Sequence, residues 1–483
     1  MLETLFMPTI PTYDAVVIGS GPNGLAAAIT LAQQGLSVKV FEARETIGGG
    51  TRTQERTLPG FQHDVCSAIH PMAAASPFLA ALPLGEHGLE WIHPEYPLAH
   101  PFDNKPAAVL YRSLFETASE LDRDHQAYKR LFTPIVQDWD RLAPQLLAPF
   151  SRLPSHPLLM ARFGLKALRP ARSLAQATFE TPRARALFAG LAAHSIMPLD
   201  KTATSAIGLV LGAVGHRLGW PLPKGGSQSL ALAMASYFES LGGEIETGTK
   251  IRSLTQLPAS RAVFFDTSPA QVLDIAKDKI PSPYADKLRE YRYGAGIFKL
   301  DLALQEPVPW KDPACRKAGT VHLGGTLEEI IESEKAMSEG RHPDKPYVLV
   351  AQQSLFDKTR APEGKHTLWA YCHVPNGSER DMTDRILNQI ERFAPGFRDL
   401  IIGKHSMNTR DMQSYNPNYI GGDINGGMQD ITQLFTRPVK LFDPYHIPDT
   451  PMYICSASTP PGGGVHGMCG YHAAQSALKR EFG

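Results

Sequence analysis

Near the start of the chain, Gly19, Ser20, Gly21, Pro22, Asn23 and Gly24 form a G-x-G-x-x-G turn, and an acid, Glu42, follows it. That pattern suits a pyrophosphate flanked by a ribose. Gly19 permits a tight turn, Gly21 lets backbone approach phosphate oxygens, and Gly24 lets the following helix pack closely on its strand. The helix N-terminus then offers unpaired N–H groups to the anion, and Glu42 can accept from ribose hydroxyls. Three elements must hold these groups in place. Residues 14–18 are a short β-branched apolar run, residues 25–34 an Ala/Leu-rich helix ended by Gly35, and residues 37–41 a second strand that delivers Glu42. Strand, glycine turn, helix, strand and acid in this order predict a bound adenine dinucleotide.

A second glycine cluster follows. After Glu42 come Ala43 and Arg44, then Gly48, Gly49, Gly50, Thr51 and Arg52, so two arginines stand where they could lie along the same pyrophosphate and sugar chain. A unit that binds NAD does not need this extension. The stretch resembles the amine-oxidase and phytoene-desaturase superfamily of FAD enzymes, whose motif reads E-x-R-x-x-x-G-G-R. Glu42, Arg44, Gly48 and Gly49 match; Gly50 stands where the family usually has arginine, and Arg52 is the substitute at hand.

The resemblance extends along the chain. Residues 220–226, W-P-L-P-K-G-G, are similar to the family's P-x-G-G segment, and the strand expected after it at 244–254 implies adenine-flanking backbone near Ile251. Near the C-terminus, a strand expected at 452–457, which holds Ser456, leads into Ser458-Thr-Pro-Pro-Gly-Gly-Gly-Val-His-Gly467 and then a helix. This turn resembles the phytoene-desaturase G-T-H-P-G-x-G-x-x-G, which implies that Gly463, Gly464, Val465 and His466 lie beside the flavin ring. Lys299 occupies the point where amine oxidases of the superfamily place a lysine near flavin N5. The implied cofactor is FAD, the implied catalytic candidates are Lys299 and His466, and no metal site is expected. Amine oxidation also needs an aromatic cage, and the residue at one cage position is Gly464, which leaves room for a long apolar substrate. The first expectation is therefore dehydrogenation of a hydrophobic small molecule, isoprenoid or carotenoid-like. Two other classes stay open: an amine oxidase using oxygen and Lys299, and a low-turnover flavin-bearing interaction protein.

Bulk properties narrow the classes. The chain has 483 residues, 48 basic and 48 acidic side chains, and five scattered cysteines without C-x-x-C spacing. Nothing global points to nucleic acid, and neither a disulfide framework nor a dithiol redox centre is expected. The absence of a basic-then-apolar leader before residue 14 and of a long apolar run fits a cytoplasmic protein, and the sequence sets no oligomeric state.

The expected fold is α/β, a Rossmann-type FAD-binding domain with a second antiparallel-sheet substrate domain and a helical cap insertion. FAD-binding parts are expected at 1–75, 220–292 and 446–483, substrate-domain strands and loops at 76–113, a helical cap at 114–219, and the substrate-domain sheet at 293–445. Within that sheet region, strands are expected at 347–374 and 407–437. The four prolines of residues 93–106 predict a loop or edge strands. In the cap, Leu121, Tyr128, Leu131, Ile135 and Trp139 recur at helical spacing. Residues 151–178 carry Arg152, Arg162, Lys166, Arg169 and Arg172 with no acid. On a helix, Arg162, Lys166 and Arg169 form one stripe opposite Met160, Phe163 and Ala167. The stripe is compatible with peripheral contact with an anionic membrane; a solvated cationic face over a packed core is the alternative. His194 and His216 read as packing or surface histidines, and His63 and Asp64 as parts of an ordinary turn.

Overall fold

The computed structural model describes residues 12–149 and 153–483. Arg152 and the segment ahead of Thr12 lie outside the described residues. Two sheets organise the rest. The first has six strands in the order His446–Ile447, Met452–Ile454, Ser260–Phe265, Tyr13–Ile18, Val38–Phe41 and Glu244–Glu246. Its central pairs are parallel, with Ile18 level with Phe41 on one side and Phe265 on the other. A parallel strand covered on both faces must be apolar throughout, and Ala15, Val16, Val17 and Ile18 are all buried. Helices Pro22–Ala32, Gln228–Ser240 and Met468–Arg480 pack one face; Pro269–Ala276 and Ser282–Arg289 pack the other. The glycine turn, Glu42 and the C-terminal turn therefore gather at the carboxyl ends of adjacent strands, where open α/β sheets bind ligands.

The second sheet has seven strands, Ile401–Met407, Gly296–Leu304, His366–Val374, Val348–Ala351, Ala318–Leu323, Tyr96–His100 and Ala108–Leu110 in that order. It is antiparallel except where Ala318–Leu323 runs parallel to Tyr96–His100. Helix Thr383–Phe393 covers one face, and the cap helices cover the other.

Three sequence expectations change here. Tyr96–His100 is neither a loop nor an edge, although it contains Pro97. Leu98 pairs with Leu110, so the missing N–H of Pro97 points beyond the end of Ala108–Leu110 and breaks no ladder bond. Residues 408–437 hold no strand; the last strand of that sheet ends at Met407. Asn408 accepts from the N–H groups of Arg410 and Asp411 while the Asp411 carboxylate accepts from Asn408 N, a reciprocal cap that starts helix Thr409–Tyr415. The strand after Gln228–Ser240 is only Glu244–Glu246. In the cap, Leu121, Tyr128, Leu131, Ile135 and Trp139 are all buried in one apolar cluster, as their spacing predicts. No helix among the described residues is long and apolar enough to cross a membrane.

Candidate active site

A cavity of about 1030 Å³ runs from the first glycine turn to the inside of the cap. Gly19–Asn23, Glu42, Ala43, Arg44, Gly49, Gly50, Thr51, Arg52, Ile251, Ser456 and Gly463–His466 all line it. Gly24 does not; it is packed beneath the turn, where an added Cβ would overlap the Gly19 carbonyl oxygen.

At the nucleotide end, helix Pro22–Ala32 has Gly21 as its N-cap; Pro22 carries no N–H and the Gly24 N–H is held by Asp266, which leaves the Asn23 N–H for an anion. Glu42 is buried and shared. Its Oε2 accepts from Ser20 N at 3.1 Å and Ser20 Oγ at 2.6 Å, and its Oε1 from Arg44 N at 2.9 Å and Arg52 Nη2 at 3.0 Å. Arg52 also donates to the carbonyls of Thr46, 2.9 Å, and Gly49, 3.1 Å. Its guanidinium thus ties the second glycine cluster to Glu42 instead of extending along a pyrophosphate. Arg44 is clasped on the Ser414 and Tyr415 carbonyls. A dinucleotide fits these residues: a glycine turn and the Asn23 N–H at the helix start for its phosphates, a carboxylate for its ribose, and Ile251 at the far end. Glu42→Ala is expected to weaken cofactor retention by about 1–3 kcal/mol, because it removes ribose acceptors and strands the Arg52 charge. Cofactor released per chain on denaturation measures it, and unchanged retention would place the ribose elsewhere.

Asp266 opens the turn after strand Ser260–Phe265, which the sequence reads as a turn over the nucleotide but with no role for the carboxylate. Its carboxylate lies under the glycine turn and accepts from Gly24 N at 3.0 Å. Burial pushes this carboxyl up to about 8, against the pull of the Gly24 N–H and helped by nearby Glu42. The folded state therefore holds a proton that the unfolded chain loses near pH 4, and stability falls as pH rises from about 4 to 8. Asp266→Asn removes that linkage. Thermal unfolding should show a gain of about 2 kcal/mol near pH 8, only part of the full shift because solvent relaxes around a buried charge, and little gain near pH 4. An equal effect at both pH values would refute this assignment.

The C-terminal turn closes the middle of the cavity. His466 is buried, its Nδ1 accepts from Met468 N at 3.0 Å, and its carbonyl accepts from Ser76 Oγ at 2.6 Å. Burial pushes its basicity down to about 4 against the Gly462 and Gly463 carbonyls. The ring latches the start of helix Met468–Arg480, so Nδ1 has no lone pair to offer a substrate proton. Lys299 stands one layer behind the lining. Its ammonium pairs with Asp301 and lies 5.9 Å from the Trp369 ring centre, while Trp369 and Cys66 form the cavity wall. Burial lowers its basicity and Asp301 opposes that shift. His63 and Asp64 lie on the short strand Gln62–Asp64 that the turn leads into, and both are more than turn residues: each is buried, His63 Nδ1 lies 3.6 Å from Asp301, and Asp64 is paired with Arg360.

Beyond the turn the cavity becomes an apolar chamber. Helix Pro157–Ala167 supplies Met160, Phe163 and Ala167, and helix Thr204–Arg217 supplies Ile207 and Val210. His216 is a packing histidine between Tyr128 Oη, 2.7 Å, and the Tyr111 carbonyl, 3.0 Å. His194 instead faces the chamber, beside Trp220. Asn418 belongs to the glycine-rich stretch 416–427, whose sequence reads as a tight loop near the site, while Tyr415 just ahead of it carries no sequence signal. Tyr415 Oη donates to Gly49 O at 2.7 Å, and Asn418 Nδ2 donates to Asp266 O at 3.0 Å, which closes a loop over the nucleotide end.

Residues 17–82 match the model of the NAD(P)-binding Rossmann-like domain. The chain is 25% identical to pyridine nucleotide-disulfide oxidoreductase domain-containing protein 2 of Rattus norvegicus, over 97% of this chain and 94% of that protein. It is also 25% identical to the lycopene-forming phytoene desaturase of Pantoea ananas, over 96% and 98% of the two chains. A solved structure of wild-type putrescine oxidase bound to putrescine superposes with a TM-score of 0.62 at 18% identity, over 97% of this chain and 98% of that one, a likeness of fold. Along nearly its whole length the chain is thus similar in sequence to a phytoene desaturase and in fold to putrescine oxidase.

Proposed function

We propose that the protein is an FAD-dependent oxidoreductase that dehydrogenates a hydrophobic substrate of isoprenoid or carotenoid-like character. The observation that carries this reading is the continuity of one cavity, polar and glycine-lined at the nucleotide end and apolar under the cap. Bound FAD would supply a two-electron acceptor for hydride. The chain's own residues do the rest. The start of helix Pro22–Ala32 holds the pyrophosphate, and Glu42 orients the adenosine ribose. Helix Met468–Arg480 begins directly after the turn that would meet the ring, and its first N–H, that of Met468, is held by His466 Nδ1. Met160, Phe163 and Val210 keep water from the reacting carbon. Gly464 adds no side chain to the cavity, which leaves room for a long molecule.

Denaturation should release one FAD per chain. Anaerobic mixing of the holoprotein with prenyl lipids and with amines should then bleach the flavin with the lipids alone. Bleaching by amines alone would move the reading to an amine oxidase, and bleaching by neither would overturn turnover altogether.

The same reading covers how such a substrate arrives. Leu158 and Leu165 on the outer side of helix Pro157–Ala167 are 87% and 78% exposed, next to exposed Arg162, and the inner side of that helix lines the chamber. Docking of this helix on an anionic membrane would place the leucines among acyl chains and the cations at headgroups. Leu158→Ser with Leu165→Ser should weaken binding to anionic liposomes roughly tenfold or more. Raised salt should release the unaltered protein. Equal binding to neutral liposomes would exclude the electrostatic part.

A further inference from the structure

Three polar side chains stand in the wall of the apolar chamber with hydrogen-bonding capacity unspent. Thr320, on strand Ala318–Leu323, is buried, and its Oγ1 has no partner among the described residues. Tyr371, on strand His366–Val374, is buried too, and its hydroxyl makes no hydrogen bond among the described residues. His194, the C-cap of helix Pro182–Ala193, pairs Nε2 with His322 Nε2 at 3.0 Å and leaves Nδ1 without a hydrogen bond among the described residues. All three side chains line the cavity.

Strand pairing gathers them. His322 is level with Leu349, and Leu349 with Tyr371, so His322 and Tyr371 end one row across three strands, about 10 Å apart at two strand spacings. Thr320 is two residues from His322 and therefore on the same face of the sheet. His194 meets His322 from the cap, and Leu349, in the middle of the row, lines the chamber. The three polar groups thus surround one apolar patch of chamber wall.

The fold does not require their polar atoms. A buried hydroxyl without a partner costs about 1–3 kcal/mol. Valine at 320 and phenylalanine at 371 would keep the shape of the wall and suit a pure hydrocarbon better. Burial pushes the Tyr371 hydroxyl up, so it keeps its proton and can donate, and burial holds His194 down to about 3, so its ring is neutral near pH 7. The cationic residues of the cavity lining, Arg44, Arg52 and Lys250, flank the nucleotide end. The chamber therefore offers neutral donors and acceptors without a counter-charge.

We propose that the substrate carries an uncharged oxygen, a hydroxyl or a carbonyl, on its apolar chain, and that Thr320, Tyr371 and His194 receive it. The proposal rests on the dehydrogenation reading above and narrows its substrate class. Held at this patch, the oxygen sets which carbon of the chain reaches the flavin. A hydrocarbon would leave the three groups unpaired, and a carboxylate would enter without a cation.

Equilibrium dialysis of the holoprotein against a prenyl alcohol, and against the aldehyde, carboxylic acid and hydrocarbon of the same chain length, reads binding without turnover. The alcohol or the aldehyde should bind roughly tenfold or more tightly than the hydrocarbon and the carboxylate. Which of the two binds tighter distinguishes a hydroxyl from a carbonyl. Thr320→Val combined with Tyr371→Phe, both close in shape, should reduce the preference over the hydrocarbon severalfold. A hydrocarbon that binds as well as both oxygenated compounds, a carboxylate that binds tightest, or an unchanged preference in the variant each overturns the proposal. If the preferred compound binds as expected but leaves the flavin oxidised on anaerobic mixing, the dehydrogenation reading fails and the oxygen site stands. Binding of none of the four overturns both.

Discussion

Replacing Gly24 by valine is expected to yield a protein without bound flavin. Gly24 lies where the first turn of helix Pro22–Ala32 crosses the glycine turn, and a Cβ there would overlap the Gly19 carbonyl oxygen and come within 3.0 Å of Asp266 Cβ. The first obstacle is backbone and the second sits on the neighbouring strand, so neither can swing aside. The helix must shift away from the sheet, and the N–H groups at its start leave the phosphate position. Overpacking of this kind costs about 1–3 kcal/mol of stability, and the cofactor loss should be near total because several phosphate contacts go together. Flavin absorbance and the unfolding temperature of the purified variant measure both. Normal flavin content in Gly24→Val would show that the phosphates do not use this helix.

Arg360→Met is expected to cost about 3–5 kcal/mol, the usual penalty for stranding one member of a buried ion pair. Arg360 Nη2 lies 2.8 Å from Asp64 Oδ2, and both side chains are wholly buried. Burial alone would push the Asp64 carboxyl up, yet Arg360, the Ser227 N–H and Thr53 Oγ1 together hold it below the usual range. A depressed carboxyl contributes stability that is present above its unfolded pKa and lost as pH falls through the folded one. In the variant, the carboxylate keeps Ser227 and Thr53 but lacks a counter-charge, so the deficit is largest near neutral pH and narrows in acid as Asp64 takes up a proton. Denaturant unfolding across that range checks it. Asp64→Asn combined with Arg360→Met should recover part of the loss, and a single Arg360→Met at unaltered stability would show the pair to be hydrated.

The glycine turn, its helix and Glu42 were legible in the sequence because each depends on neighbours a few residues away. A β-branched run, a close-packed helix start and an acid at a strand end are local requirements, and their order leaves little choice of ligand. The helical cap was legible for the same reason, since Tyr128, Leu131 and Ile135 keep one face at a fixed period. Leu158 and Leu165 were visible too, but their exposure was not: the opposite face of the same helix is also apolar, and only the position of the chamber says which side is inside.

What the sequence by itself determined is the class of cofactor site and the alternation of strands and helices that carries it. Tertiary structure alone decided the duties of the ionisable groups. Arg52 turned from phosphate to Glu42, His466 became a helix latch, Lys299 was set one layer back on Asp301, and Asp266 came under the glycine turn from a strand far along the chain. His194, at the C-cap of helix Pro182–Ala193, meets His322 of strand Ala318–Leu323 at 3.0 Å, and no spacing links them. The physical reason is range. Backbone preference acts over a few residues, whereas a charge or a lone pair is set by whichever groups share its buried surroundings, and those are chosen by the packing of distant segments.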